Sequence, residues 1–327
     1  MTTVERINEL EDLETGTMFD LLNSDIPNIE YLIDNILPKG MITIIFGQGE
    51  SFKTGFSLYL ALCLATGKDT FLYKTNKKSK VLWIDEEMGI TGLKQKVSRL
   101  SKGLGINYEE FKDSFIYKSI TGFKLDDENT YEMLEQEIIQ QKIDVIFIDS
   151  IARTMLGDEN SVKDVRKIHD VIRKLISKTG VTFITIHHIT KSSNGLNLQS
   201  LRGSGDFGNQ VDMALGMRCV GKDKFLLGRY KWRYKEEEIE KINFQVNDIE
   251  NGMKLEYLGT ARENLTKTKQ LEEDLRECLD HPMKWSEIVN LLEKKGHKKG
   301  SIEPKISKWK KENKIKKSGD FYTMKET

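Results

Sequence analysis

Residues 47–54 read Gly-Gln-Gly-Glu-Ser-Phe-Lys-Thr. They follow an apolar run, 41–46, and precede a helical stretch, 55–65. A strand, a glycine loop and a helix in that order make the phosphate-gripping end of a nucleoside triphosphate site. Gly47 and Gly49 let backbone N–H groups approach phosphate oxygens, and Gln48, Glu50, Ser51, Phe52 and Gly55 complete the candidate nucleotide-binding loop. Lys53 supplies a point charge for the β- and γ-phosphates, and the Thr54 hydroxyl can ligate Mg²⁺. The expected substrate is ATP with Mg²⁺, and Lys53 is expected on a solvent-facing loop. Phe52 departs from the strict pattern G-x-x-x-x-G-K-[ST], which has glycine there. The competing reading is an ordinary strand–turn–helix connection.

Such a loop needs a partner acid for the metal. Residues 143–149 are an apolar run ending in Asp149, at the strand edge where α/β sheets place ligands. The alternative is an aspartate capping the next helix. A second strand-like run, 81–84, ends in Asp85, Glu86 and Glu87. Hydrolysis needs a group to orient or deprotonate the attacking water. Glu87 is the candidate, with Glu86 and Asp85 as competitors; three acids could also complement a helix N-terminus.

His187 and His188, two of five histidines, end the run 181–186. One of them facing the γ-phosphate could report nucleotide state to the loop that follows. A metal site is the weaker rival, because adjacent strand residues point to opposite faces. The loop 192–209 is rich in Gly and Ser, without periodicity. Loops of that length inside compact domains are usually functional. Lys191, Arg202 and Phe207 are its candidate nucleic-acid contacts. In 230–234, Lys231 and Arg233 alternate onto one strand face and could reach a γ-phosphate across a subunit interface. The plain alternative is a solvated basic edge strand.

These residues need a scaffold. Short β-branched runs at 41–46, 81–84, 115–117, 145–148 and 181–186 alternate with helical patterns at 53–66, 90–103, 129–141 and 161–178. That predicts a mostly parallel sheet with helices on both faces. From about 211, short runs joined by charged turns predict antiparallel strands extending it. Residues 1–28 read as a lead-in, 29–260 as the nucleotide domain and 261–267 as a linker. Residues 268–327 hold three helical patterns and a hairpin, a winged-helix arrangement. In it Trp285, Ile288, Leu291, Leu292, Ile302, Ile306 and Trp309 should be core, and Pro304 should fall in the third helix's first turn.

Charge is balanced at 51 basic and 51 acidic residues. Residues 281–327 nonetheless carry 13 Lys, no Arg and 6 acids, about +7. Lys305, Lys308, Lys311 and Lys316 are the candidate contacts to duplex DNA. Three widely spaced cysteines imply neither disulfide nor zinc framework. No stretch reaches about 18 apolar residues, so no membrane partner is expected and the location is read as cytoplasmic.

The order of motifs resembles a known family. The glycine loop is followed by Asp85-Glu-Glu-Met88, then Asp149-Ser-Ile-Ala-Arg-Thr154 with Gly157-Asp-Glu-Asn-Ser161. Next come His187-His-Ile-Thr-Lys191, Leu201-Arg-Gly-Ser204, Val211-Asp212 and Lys231-x-Arg233. Over about 25–260 this resembles the RepA-type ATPases of plasmids and phages, the RecA-like AAA_25 group, related to hexameric replicative helicases. The resemblance implies a RecA-like core, commonly in rings, that acts in DNA replication as a helicase. Lys53 and Thr54 would hold phosphate and Mg²⁺, Asp149 would be the Walker B acid and Glu87 the catalytic glutamate. His188 would be a sensor, and Lys231 with Arg233 a pair inserted into a neighbour's site. Single-stranded DNA would run through a hexamer's channel and duplex DNA would meet the C-terminal module. The alternatives are a RecA-like recombinase or mediator, and a DNA-binding regulator that uses ATP as a switch.

Overall fold

The computed structural model describes residues 16–24, 28–189, 196, 198, 201, 207–234, 241–260 and 267–325. Two compact units divide the chain, Met1–Thr260 and Ala261–Thr327. The first opens with a short helix, α1 (Met18–Asn23), and a small antiparallel pair, β1 (Tyr31–Ile33) and β2 (Leu37–Pro38).

A nine-stranded sheet follows. Its first part alternates strand and helix: β3 (Ile42–Gly47), α2 (Lys53–Thr66), β4 (Val81–Asp85), α3 (Ile90–Leu104), β5 (Phe115–Ser119), α4 (Glu128–Gln141), β6 (Val145–Asp149), α5 (Val162–Thr179) and β7 (Thr182–His188). After a one-turn helix, α6 (Phe207–Gln210), come β8 (Met213–Gly221), β9 (Lys224–Trp232), β10 (Ile242–Ile249) and β11 (Gly252–Thr260). The spatial order is β11-β10-β9-β8-β3-β7-β6-β4-β5. Pairs from β5 to β8 are parallel, and β8 to β11 form an antiparallel meander. This is the mixed α/β architecture that the alternating runs imply.

Period two sorts the strand side chains. Ile45, Trp83, Phe147 and Ile184 join the core under α2 and α3. Ile44, Ile84, Ile148 and Phe183 join the core under α4 and α5. Each such side chain, wholly buried, contributes about 1.5–3 kcal/mol. The sheet is therefore the rigid part from which the loops at its carboxyl edge project.

The second unit packs α7 (Lys267–Cys278), α8 (Trp285–Lys294) and α9 (Lys299–Lys311) with a three-stranded antiparallel sheet. Its strands are β12 (Met283–Lys284), β13 (Ile315–Ser318) and β14 (Phe321–Met324). Ile288, Leu292, Ile302, Ile306 and Trp309 are core as expected. Leu291 is exposed, and Val289 is buried instead. Pro304 lies inside α9, beyond the first turn, because that helix starts at Lys299 rather than Ser301.

Candidate functional site at the sheet's carboxyl edge

Register aligns the polar strand ends. Gly47 pairs with His188, and Asp85 pairs with Asp149. Since β3 lies between β7 and β8, and β6 lies between β7 and β4, the glycine loop, His188 and the strand-end acids Asp85 and Asp149 lie at one edge. Open α/β sheets bind ligands at such a point.

The loop's shape follows from a few residues. A Cβ on Gly47 would sit 2.2 Å from the Met217 carbonyl oxygen, so only glycine fits. A Cβ on Gly49 meets nothing within 4 Å, which leaves open space over the loop. Phe52, at the expected glycine, adopts φ 64°, the left-handed region. Such a conformation costs a non-glycine residue about 1–3 kcal/mol. Its ring stacks on Phe225 at 5.2 Å and meets Phe244 at 6.4 Å, which offsets that cost. The same ring covers Gly55, where a Cβ would come within 2.4 Å of it.

Lys53 is buried at 3% exposure, not solvent-facing as the loop position suggested. The first turn of α2 folds it under the loop. Its ammonium donates to the Gln48 carbonyl at 2.7 Å and to Ser51 Oγ at 3.2 Å. Burial pulls its pKa down to about 8, against the attraction of Asp149 and Glu87. Thr54 Oγ1 donates to Asp149 Oδ2 at 2.7 Å. Burial pushes the Asp149 carboxyl up to about 6, opposed by that hydrogen bond and reinforced by Glu87.

Of the three acids after β4, two are occupied by the backbone. Asp85 accepts from the N–H groups of Glu87, Met88 and Gly89 and from Ser119 Oγ. Glu86 accepts from the N–H groups of Thr121, Gly122 and Phe123. Glu87 instead meets His188 Nε2 at 3.2 Å. That hydrogen bond, chiefly, holds its carboxyl below the ordinary range, partly offset by burial.

One ligand atom each of Glu87, Asp149 and His188 lies within 4.8 Å of the others. Asp149 Oδ1 is buried and has no hydrogen-bond partner. An orphaned carboxylate oxygen beside the Thr54 hydroxyl suits a cation carried in with phosphates. The residues present therefore fit Mg²⁺ and ATP.

His187 points the other way, as alternation requires. It is buried, its ring stacks on Phe207 at 4.4 Å, and burial pulls its pKa down to about 3. Phe207, expected as a nucleic-acid contact, is wholly buried and meets His169 edge-on at 5.6 Å. Lys191 and Arg202 lie outside the described residues. Lys231 donates to the carbonyls of Gly208 and Asn209. Arg233 donates to Asn209 and pairs with Asp212 at 3.1 Å. Both cations thus hold α6 of their own chain.

Asp212 was missed as a structural centre. Nearly wholly buried, it also accepts from the Ile42 N–H and pairs with Arg173. A lone aspartate opening an apolar run was the available signal.

In the second unit Lys308, Lys311 and Lys316 are exposed. Lys305, expected among the DNA contacts, is not exposed. It is buried at 9% and paired with Glu272, because it falls between Ile302 and Ile306 on the packed side of α9.

The sequence matches the family model for an AAA domain, AAA_25, over residues 5–194. The chain belongs to this family. Fold and family together define the class as RecA-like P-loop ATPases, which binds ATP. The chain is also similar to the crystal structure of the RadB recombinase, at 19% identity over 66% of this chain and 90% of that one, with TM-score 0.47. That likeness is too slight to bear on function. No curated protein matches the sequence. Among the described residues, no helix is long and apolar enough to cross a membrane.

Proposed function

We propose that this protein hydrolyses ATP when stimulated by nucleic acid and acts in DNA replication as a ring-forming, RepA-like helicase. The observation that carries the hydrolase reading is Glu87 turned toward Asp149 and His188 while Asp85 and Glu86 are held by backbone donors. Lys53 and the loop 47–52 would grip the phosphates. Thr54 and Asp149 would hold Mg²⁺, which neutralises charge on the transferred phosphoryl group. Glu87, held ionised, accepts a proton from the attacking water or orients it. His188, hydrogen-bonded to Glu87, is placed to sense that step and pass it to the loop after β7.

Lys231 and Arg233 would complete a neighbour's site, which requires them to release the carbonyls of α6. The linked loop would then move with nucleotide state. The three helices and hairpin of the second unit support a winged-helix reading, with Lys308, Lys311 and Lys316 toward duplex phosphates.

The test is ATP-driven strand displacement on forked DNA, run beside ATPase assays with and without single-stranded DNA. Displacement supports the helicase. Stimulated hydrolysis without displacement replaces it with a recombinase-type ATPase, and binding without turnover replaces it with a nucleotide switch.

A further inference from the structure

We propose that Glu87, Asp149 and His188 form a transition-metal site that takes a dication such as Mn²⁺, Co²⁺ or Zn²⁺ without any nucleotide. It occupies the same strand ends as the ATPase reading, goes beyond it, and can be tested independently of hydrolysis.

Three observations carry the site. First, the three ligand atoms converge within 4.8 Å, and among the described residues no other group of three His, Cys, Asp or Glu side chains does so. Second, Asp149 is 1% exposed, and its Oδ1 has no hydrogen-bond partner. A buried carboxylate oxygen without a partner is costly, and a cation satisfies it directly. Third, His188 Nε2 and the Glu87 carboxylate already stand 3.2 Å apart. Bonds of about 2.0–2.2 Å to a shared ion impose separations of roughly 3.0–3.5 Å on adjacent ligands. Little movement is needed to close the triangle.

The donor set selects the metal. Imidazole with two carboxylates suits Mn²⁺, Co²⁺, Ni²⁺ and Zn²⁺. Mg²⁺ prefers oxygen and keeps its waters, so it gains little from His188. Lys53 is the nearby opposing charge, and its ammonium is turned to Gln48 and Ser51. An ion seated here would tie Glu87 and His188 to Asp149, so transition metals and MgATP should compete.

The experiment titrates Co²⁺ into the nucleotide-free protein and reads visible d–d absorption. A Cys219→Ser background removes the exposed thiol. One equivalent should bind. Replacing even an outer partner of a metal ligand typically weakens binding 10–100-fold, so His188→Gln should lose at least about tenfold. Asp149→Asn should bind weakest of all. Circular dichroism checks that each variant folds, and Glu87→Gln serves as a further variant if Asp149→Asn does not. Equal affinity in wild type and His188→Gln overturns the proposal, as does tight binding in folded Asp149→Asn; either would mean an adventitious ion only. Co²⁺ binding that depends on His188 in a protein lacking ATP turnover would uphold this site and sink the hydrolase. The reverse pattern would do the opposite.

Discussion

Lys53 and Glu87 sit on opposite sides of Asp149's charge balance, and their substitutions should separate binding from turnover. Lys53→Ala removes the buried ammonium proposed to grip phosphate, so ATP affinity and ATPase should both collapse. Glu87→Gln keeps shape and loses the base. Binding of ATP should persist while turnover falls about 10²–10⁴-fold. Equilibrium nucleotide binding and phosphate release, measured on both, check this; near-normal turnover in either sinks the site. Phe52 offers a second residue-scale prediction. Both Phe52→Ala and Phe52→Gly lose the stacking on Phe225 and Phe244. Glycine, however, adopts φ 64° without strain. Phe52→Gly should therefore be more stable than Phe52→Ala by about 1 kcal/mol, read as the difference in urea midpoints. Equal stabilities would mean the loop is not strained at Phe52.

At the scale of elements, α5, β7 and α6 meet at Phe207, which stacks on His187 and meets His169 edge-on. His169 Nδ1–H donates to the Val165 carbonyl at 2.8 Å, and its Nε2 has no partner. Burial pulls His169 down to about 4 and His187 to about 3. Both folded values lie below the unfolded 6.5, so the unfolded chain binds protons first. The stability is complete above pH 6.5 and declines as pH falls toward 4. Asp149, raised to about 6, works the other way between pH 6 and 4. Unfolding midpoints at pH 7.5, 6 and 5 should fall steadily. A His169→Leu variant should lose roughly 1.4 kcal/mol per pH unit of that slope between pH 6 and 5. An unchanged slope would place the proton elsewhere. Lys231 and Arg233 belong to this scale too. If they act in a neighbour's site, Arg233→Ala should cut turnover about 10³–10⁵-fold. Mixing it with Lys53→Ala subunits should restore part of the activity. No recovery at any ratio would leave these cations as clamps on α6 alone.

For the molecule as a whole, the division at residue 260 predicts that 261–327 folds alone, and the proposed function predicts that it then binds duplex DNA through its lysines. Three phosphate contacts, from Lys308, Lys311 and Lys316, give a slope near −3 in log affinity against log salt. Lys311→Ala should reduce it by about 1, while Lys305→Ala should lower fragment stability and leave the slope alone. Affinity that ignores salt would remove the DNA role. The sequence by itself determined the alternating strands and helices, because period-two and helical apolar patterns are local and the central strands β3, β4 and β6, buried on both faces, read as continuous apolar runs. It also pointed to the glycine loop at 47–54 and to Asp149 as the candidate site for the same reason: a glycine loop and a strand-end acid are short motifs. Only tertiary structure separated Asp85, Glu86 and Glu87: the backbone of 121–123 and the Ser119 hydroxyl, far along the chain, reach Glu86 and Asp85 respectively, and Asp85 also accepts from the N–H groups of 87–89. It also buried Lys53, Phe207 and Lys305, each of which looks exposed in a string of letters. Phe207 and Lys305 are covered by partners far along the chain, His187 with His169 and Glu272, which only folding brings close, while Lys53 is turned under its own loop onto Gln48 and Ser51.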